Sequence, residues 1–528
     1  MMKCSVFVVL VVNCFVFCHA SKILVLSPVA SKSHKISMMP IVRALAQRNH
    51  HVTIVTSHSQ EEYLENVHDI VVPNPYMNDG KFDWFAMNSI NPFVLQFQIF
   101  YNFATISKFN YEAVMNNPEF LLVLKRREID LVILDDSFND FCLKIIEDLK
   151  VPFVYFSSST GYPWVFNSMG ASQELSSVPS RFTGYDSTMN FKQRIFNTLA
   201  GLGAQILRSF IVIPAIDAYT KKDFPSARSI SDIEKDASLY FLSSQWATTW
   251  PRSVPPTVIQ LGPLHIRPPQ TLPQAMDRFI REFEKDGFIL FTLGSIPSSK
   301  FMPKKYVQTF SKVFSRIPQR VIWKWDDSSE IPENLSANVL LVDWLPQQDL
   351  LGHSAIRLFI THGGFLGMQE ALYHSVPLLA LPFGTDQYLN SAKVRKEGCG
   401  LHLDWDNLDE ATLFTSITSI INNSSFKDNT RRLSLLMHEE FLKGQDTAVN
   451  WIEHVIRFNG TKHLKPTSQN IPFYQLYLLD VGLFLVVISF IIVVVTANMV
   501  RFIIWCLLAS LKKFKTTPSY KSNFKKIT

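Results

Sequence analysis

Cysteine is nearly missing from the body of this 528-residue chain: of six, Cys4, Cys14 and Cys18 lie in an N-terminal leader, and Cys506 follows an apolar C-terminal run. Only Cys142 and Cys399 remain, which excludes a disulfide framework and a cysteine zinc site. Basic charge is also missing from the body. The formal net charge is +6, but Arg501, Lys512, Lys513, Lys515, Lys521, Lys525 and Lys526 form a tail without acids. Lys3 adds one more positive charge, so everything between carries a net −2. Nucleic-acid binding by the body therefore has no electrostatic support. No GxxxxGK(S/T) loop occurs, and no short-period repeat. What abounds is apolar material, 47% of residues against 18% charged, with 42 Phe. That excludes a disordered chain, suffices for more than one core and can line aromatic cavities.

Both ends read as membrane addressing. Lys3, the apolar run Val6–Phe17 and Cys18-His19-Ala20 make a signal peptide cleaved before Ser21. Val481 to Val500 contains no charge, and 20 residues at a rise of about 1.5 Å span a hydrocarbon core of about 30 Å. Because positive charge stays cytosolic, the basic tail is expected in the cytosol and the body in the lumen, a type I single-pass topology. The terminal Lys525-Lys526-Ile527-Thr528 fits a dilysine signal read by a coat receptor for retrieval to the endoplasmic reticulum, and Asn334, Asn422, Asn423 and Asn459 head glycosylation sequons.

Seven prolines between Pro251 and Pro273 read as a stiff linker dividing the body. The expected division is a signal peptide over 1–20, a first domain with linker over 21–265, a second over 266–470, a juxtamembrane segment over 471–480, the span over 481–500 and the tail over 501–528. In the first half Lys22–Leu26, His51–Thr56, Leu131–Leu134 and Phe153–Phe156 read as buried parallel strands. In the second, Phe288–Leu293, Arg320–Trp325, Val339–Val342, Leu358–Thr361 and Pro377–Leu381 do the same, with helical patterns between. This alternation predicts an α/β chain of two Rossmann-like domains, with ligands at the carboxyl ends of the strands and the site in the cleft between domains.

Two turns carry the chemistry. Leu293-Gly294-Ser295 and His362-Gly363-Gly364 each follow a strand and precede a helix, the arrangement that lets backbone N–H groups approach an anion. Two in succession, without a P-loop lysine, point to a phosphate ester. Trp344-Leu345-Pro346-Gln347, His353, Phe359 to Gly364, Glu370, Pro377, Pro382 and Asp386-Gln387 extend this into a fixed pattern that resembles the signature of the UDP-glycosyltransferases. The resemblance covers essentially the whole chain, and Phe473-Tyr474-Gln475 before Leu478-Leu479-Asp480-Val481 is most similar to invertebrate members.

The resemblance implies a GT-B architecture, two Rossmann-like domains facing across a cleft plus one C-terminal transmembrane helix. It implies that Trp344 stacks on uracil and Gln347 bonds its edge, that Ser295, His362, Gly364 and Gly367 surround the diphosphate, that Glu370 holds the ribose, and that Asp386 and Gln387 hold the sugar. Leu366 and Gly367 stand where relatives often carry Asn or Ser, which leaves more of the phosphate contact to backbone N–H groups and the helix dipole. His34 matches the family's general base and Asp135 its partner, with Asp136 the alternative if the register slips by one.

The expected activity is inverting transfer of a hexose, glucose favoured and glucuronate open, to a hydroxyl or similar nucleophile of small lipophilic acceptors, of the detoxification or conjugation type. An endogenous lipid acceptor and a catalytically silent binding protein are the alternatives. The UDP-sugar is a co-substrate and no other cofactor is expected; homo-oligomerisation stays open. Asp404-Trp405-Asp406 resembles a metal-binding DxD but reads better as capping the next helix, so no metal is expected. His50, His51 and His58 read as surface or turn residues. The aromatic stretch from Phe82 to Phe103 reads equally as helix packing and as part of an acceptor pocket.

Overall fold

The structure, a computed structural model, describes residues 20–515 apart from 30, 61, 75–82, 89–91, 172, 283–284, 295–296, 327–330, 333–334 and 441–443. Most of the leader, Phe82, Ser295, the Asn334 sequon and the Lys525-Lys526 tail therefore lie outside the described residues.

The apolar runs become strands because each can be buried on both faces. In the first sheet they are β1 (Lys22–Ser27), β2 (His51–Thr56), β3 (Val67–Val71), β4 (Leu131–Asp135), β5 (Phe153–Ser157), β6 (Leu239–Leu242) and β7 (Val258–Gln260). The second holds β8 (Phe288–Thr292), β9 (Arg320–Lys324), β10 (Val339–Val342), β11 (Ile356–Thr361), β12 (Leu378–Ala380) and β13 (Gly400–His402). Neighbours pair in parallel, in the orders β3-β2-β1-β4-β5-β6-β7 and β10-β9-β8-β11-β12-β13. Alternate residues feed opposite faces: Leu24 and Leu26 enter one core and Ile23 and Val25 the other, as Phe288 and Leu290 do against Ile289 and Phe291. The two sheets are two Rossmann-like domains.

Every run read as a strand forms one, and β3, β6, β7 and β13 are additional. The Pro-rich stretch is more than a linker. It supplies β7 to the sheet edge, where proline is tolerated, and buries Leu261, Leu264 and Ile266. The helix Gly444–Phe458, which the sequence division assigns to the second domain, packs Ala448, Val449, Ile452 and Val455 against the first sheet's Ile23, Val25 and Leu131. His50 is buried here, contrary to the surface reading. Its Nδ1 accepts from Ser21 N at 3.1 Å and its Nε2 lies 3.3 Å from Glu453 Oε1 on that helix. The cap of the helix Glu410–Asn422 is Asp409, through a capping box with Thr412, rather than Asp404 or Asp406. Trp405 between them is a core residue stacked on Phe383.

The segment Asn470–Thr528 forms a separate unit containing the helix Leu479–Lys515. Its Leu479–Lys512 portion, mean hydropathy 2.8, is long and apolar enough to cross a membrane. Phe191–Thr220 also passes on length and hydropathy, but its Ala204, Val212, Ile213 and Ile216 belong to the first domain's core.

Large-to-small truncation at a buried isoleucine costs about 2–5 kcal/mol. Ile452→Ala should therefore lower the unfolding midpoint of the detergent-solubilised chain by several degrees in a thermal melt, whereas an unchanged midpoint would mean that the helix Gly444–Phe458 adds nothing to the first domain.

Candidate active site

On the first domain the site begins where β1 ends. Ser31, in extended conformation, starts the helix Lys32–Gln47, which puts His34 in its first turn at the carboxyl edge of the sheet. Its Nδ1 lies 3.4 Å from Oδ2 of Asp135, the last residue of β4. Asp135 is fully buried and fixed, accepting from Ser27 Oγ at 3.0 Å and Ser137 N at 2.8 Å. Asp136 turns elsewhere, accepting from Tyr240 Oη at 2.5 Å. The register therefore favours Asp135 as the neighbour of His34. Burial disfavours the imidazolium, but Asp135, with Asp136 and Asp386 adding, outweighs it and raises the His34 pKa above its ordinary 6.5. Asp136 is itself pushed up, by burial first and then by the Asp135 charge.

On the second domain the glycines make room for an imidazole. Gly294, at φ +90° after β8, and Gly364 flank His362: a Cβ on either would come within 2.5 Å of its ring. Burial drives the His362 pKa down to about 4, so the ring is neutral and can donate one N–H. The helix Phe365–Tyr373 begins at Gly364 with no side-chain cap, leaving its first N–H groups for an anion. Lys324, the last residue of β9, reaches the same place and donates to Gly294 O at 2.9 Å. Burial lowers its pKa. Gln347 Nε2 donates to Glu370 Oε2 at 2.5 Å, and His265 Nε2 lies 3.4 Å from Glu370 Oε1. Gly367 leaves the space beside Gln347, where a Cβ would sit 3.3 Å from Nε2. Trp344 is half exposed, with the Lys32 ammonium 4.1 Å from its ring centre. Asp386 accepts from Thr385 Oγ1 and Asn390 Nδ2, and Gln387 Oε1 accepts from Phe383 N at 2.7 Å.

These groups line one cleft of about 1040 Å³ between the domains, and it brings His34, Trp344, Gln347, His362, Gly364, Gly367, Glu370, Asp386 and Gln387 together. Asp135 stands behind His34. The aromatic stretch divides: Trp84 and Phe103 line the cleft, Phe85 packs on Phe383 and Trp405, and Phe100 is core. The side chains of Phe93 and Phe97 lie outside the described residues. Lys324, His265 and Arg181 also line the cleft and are not read from sequence. Lys324 had a signal, as a cation at the carboxyl end of a strand; His265, inside the Pro-rich stretch, and Arg181, in a loop, had none.

Residues 21–514 match the family model described as UDP-glucoronosyl and UDP-glucosyl transferase. The chain is 30% identical over 482 residues to UDP-glucosyltransferase 2 of Dactylopius coccus, covering 89% of this chain and 90% of that one. It is 28% identical over 495 residues to mouse 2-hydroxyacylsphingosine 1-beta-galactosyltransferase, covering 92% and 89%. Among solved structures, the calicheamicin glycosyltransferase CalG4 superposes with a TM-score of 0.57 at 17% identity, over 83% of this chain and 99% of that one, which shows the GT-B fold. Two Rossmann-like domains, a cleft carrying the expected residues and a family match across almost the full length make this chain a member of the UDP-glucoronosyl and UDP-glucosyl transferase family.

Proposed function

We propose that this UDP-sugar glycosyltransferase transfers a hexose, with inversion, to a hydroxyl of small lipophilic acceptors, with His34 as general base. The observation that carries the reading is the His34–Asp135 pair on the same cleft as the donor residues. Neutral His34 takes the proton as the acceptor oxygen attacks the anomeric carbon; the bond from that carbon to the UDP oxygen breaks, and its electrons leave with the diphosphate. Asp135 stabilises the imidazolium that forms. Charge growing on the leaving diphosphate meets Lys324, the N-terminus of the helix Phe365–Tyr373 and an N–H of His362, on the side opposite to attack. Trp344 supplies a face for uracil, Gln347 and Glu370 address its edge and the ribose, and Asp386 and Gln387 the sugar.

Glucose is favoured as the sugar by the invertebrate-like sequence and by the Dactylopius relative's name. The mouse relative's name favours a second reading, a lipid acceptor, which an aromatic-lined cleft also suits. The apolar helix Leu479–Lys515 supports membrane anchoring. With the leader and dilysine tail, the proposal extends to the endoplasmic reticulum membrane, with the body lumenal and the tail cytosolic.

His34→Ala should reduce turnover of UDP-glucose with a phenolic acceptor by about two to four orders of magnitude while leaving UDP binding nearly intact. Asp135→Asn should be severe and Asp136→Asn mild; the reverse order would remove Asp135 from the role. The raised His34 pKa has a signed consequence: the base is active only when deprotonated, so kcat/KM should fall as pH drops through a value above 6.5. Asp135→Asn should move that limb to lower pH, and a limb that stays fixed contradicts the pairing.

UDP should stabilise the chain against heat in the presence of a strong chelator, because a lysine, a helix N-terminus and an imidazole N–H are offered to the diphosphate without a divalent ion. At about 100 times its dissociation constant the gain is about 2.7 kcal/mol if only the folded state binds. Trp344→Ala should remove most of the shift and His34→Ala little of it. A shift that requires magnesium or manganese overturns this account of the donor site.

A further inference from the structure

Arg181 sits in a loop of the first domain and is only 7% exposed, yet it lines the cleft. Its Nη1 donates to Gly161 O at 3.3 Å, and the guanidinium stacks 3.9 Å from the Tyr162 ring centre. Among the described residues it makes no ion pair with a carboxylate. Arg208, equally buried in the same domain, shows what a compensated site looks like, with Asp140 at 2.8 Å and Glu234 at 2.7 Å. A buried guanidinium with no direct carboxylate partner keeps N–H donors that an anionic ligand can take, in charge-assisted and bidentate form.

The surroundings sharpen this. Burial opposes the Arg181 charge, but Tyr162, Asp386, Asp136 and Tyr240 outweigh it and raise its pKa, so the guanidinium stays charged. The two phenols are held above their usual range by burial and are neutral at physiological pH. Asp136 is already bonded to Tyr240 and pushed toward its neutral form. Nearby Arg252, stacked on Phe166, has its pKa lowered to about 10, by burial first, with Arg181 adding to the fall.

Phe103, Phe138, Tyr162, Trp164 and Phe182 line the cleft with Arg181. An aromatic-walled space with one cation fits a flat apolar molecule bearing an anion. We propose that Arg181 anchors a carboxylate on the acceptor, so that lipophilic hydroxy acids are preferred acceptors of this transferase. This rests on the acceptor-side reading of the cleft given above. The aromatic side chains around Arg181 belong to the first domain, the side read as the acceptor's, so the carboxylate is the acceptor's rather than a uronic donor's.

The test uses the full chain in native membranes with UDP-glucose, and p-hydroxycinnamate beside its uncharged methyl ester. Wild type should favour the acid in kcat/KM, and Arg181→Gln should reduce the acid-to-ester ratio by about 10- to 100-fold, the range of a charge-assisted hydrogen-bonded pair. Arg181→Lys should restore part of that ratio. Cinnamate, which has no hydroxyl to glycosylate, should raise the melting temperature of the detergent-solubilised wild type and not of Arg181→Gln. That arm reads the carboxylate site even if no transfer is detected, so failure of the transferase reading and failure of this one are separable. Equal loss for acid and ester, a change confined to use of UDP-glucuronate, or a cinnamate shift that survives Arg181→Gln would each overturn the proposal.

Discussion

Reversal of strand order at β1 and β4, and again at β8 and β11, is the constraint on which the rest of the molecule depends. At such a point, connections leaving neighbouring strands run to opposite faces of the sheet, and a crevice opens at the carboxyl ends that no connection fills. His34 follows β1, Asp135 ends β4, Gly294 follows β8 and His362 follows β11. Four residues of the candidate site thus come from the four strands that flank the two reversals. None needs a long loop to reach its position.

The same side chain is set to two states by its surroundings. His34 has carboxylates in front of and behind it, and its proton affinity is raised. His362, enclosed by two glycines and near the Lys324 ammonium, is driven down to about 4. One binds its proton more tightly than an ordinary imidazole and the other stays a neutral donor. The separation comes from what faces each ring: Asp135 lies beside His34 and outweighs its burial, whereas burial dominates at His362, with Lys324 adding to the fall.

Legibility in the sequence followed the range of the interactions. Buried parallel strands such as His51–Thr56 and Val339–Val342 announce themselves locally, and the Trp344 to Gln387 pattern carries most of the donor side. β3 escapes because it is a half-exposed edge strand around His68 and Asp69, and β7 because prolines surround it. The helix Gly444–Phe458 has an ordinary amphipathic pattern, and nothing local states that its apolar stripe packs on a sheet begun more than 400 residues earlier. His50 is buried by that same helix, so its reading failed for the same reason. Asp404 and Asp406 lost the capping role to Asp409, which has the required Thr three positions on. Arg181 makes its contacts with Gly161 and Tyr162, about twenty residues earlier, and no spacing rule links them.

The chain passes between the two sheets twice, once after β7 and once before the helix Gly444–Phe458. The start of that helix lies against the first passage: a Cβ on Gly444 would collide with Leu261 O and fall 2.9 Å from Leu264 Cδ2. The helix Gly444–Phe458 can therefore seat on the first sheet only with hydrogen at position 444: a larger residue would push its first turn off the backbone of the stretch after β7 and loosen the packing of Ala448 and Val449 behind it.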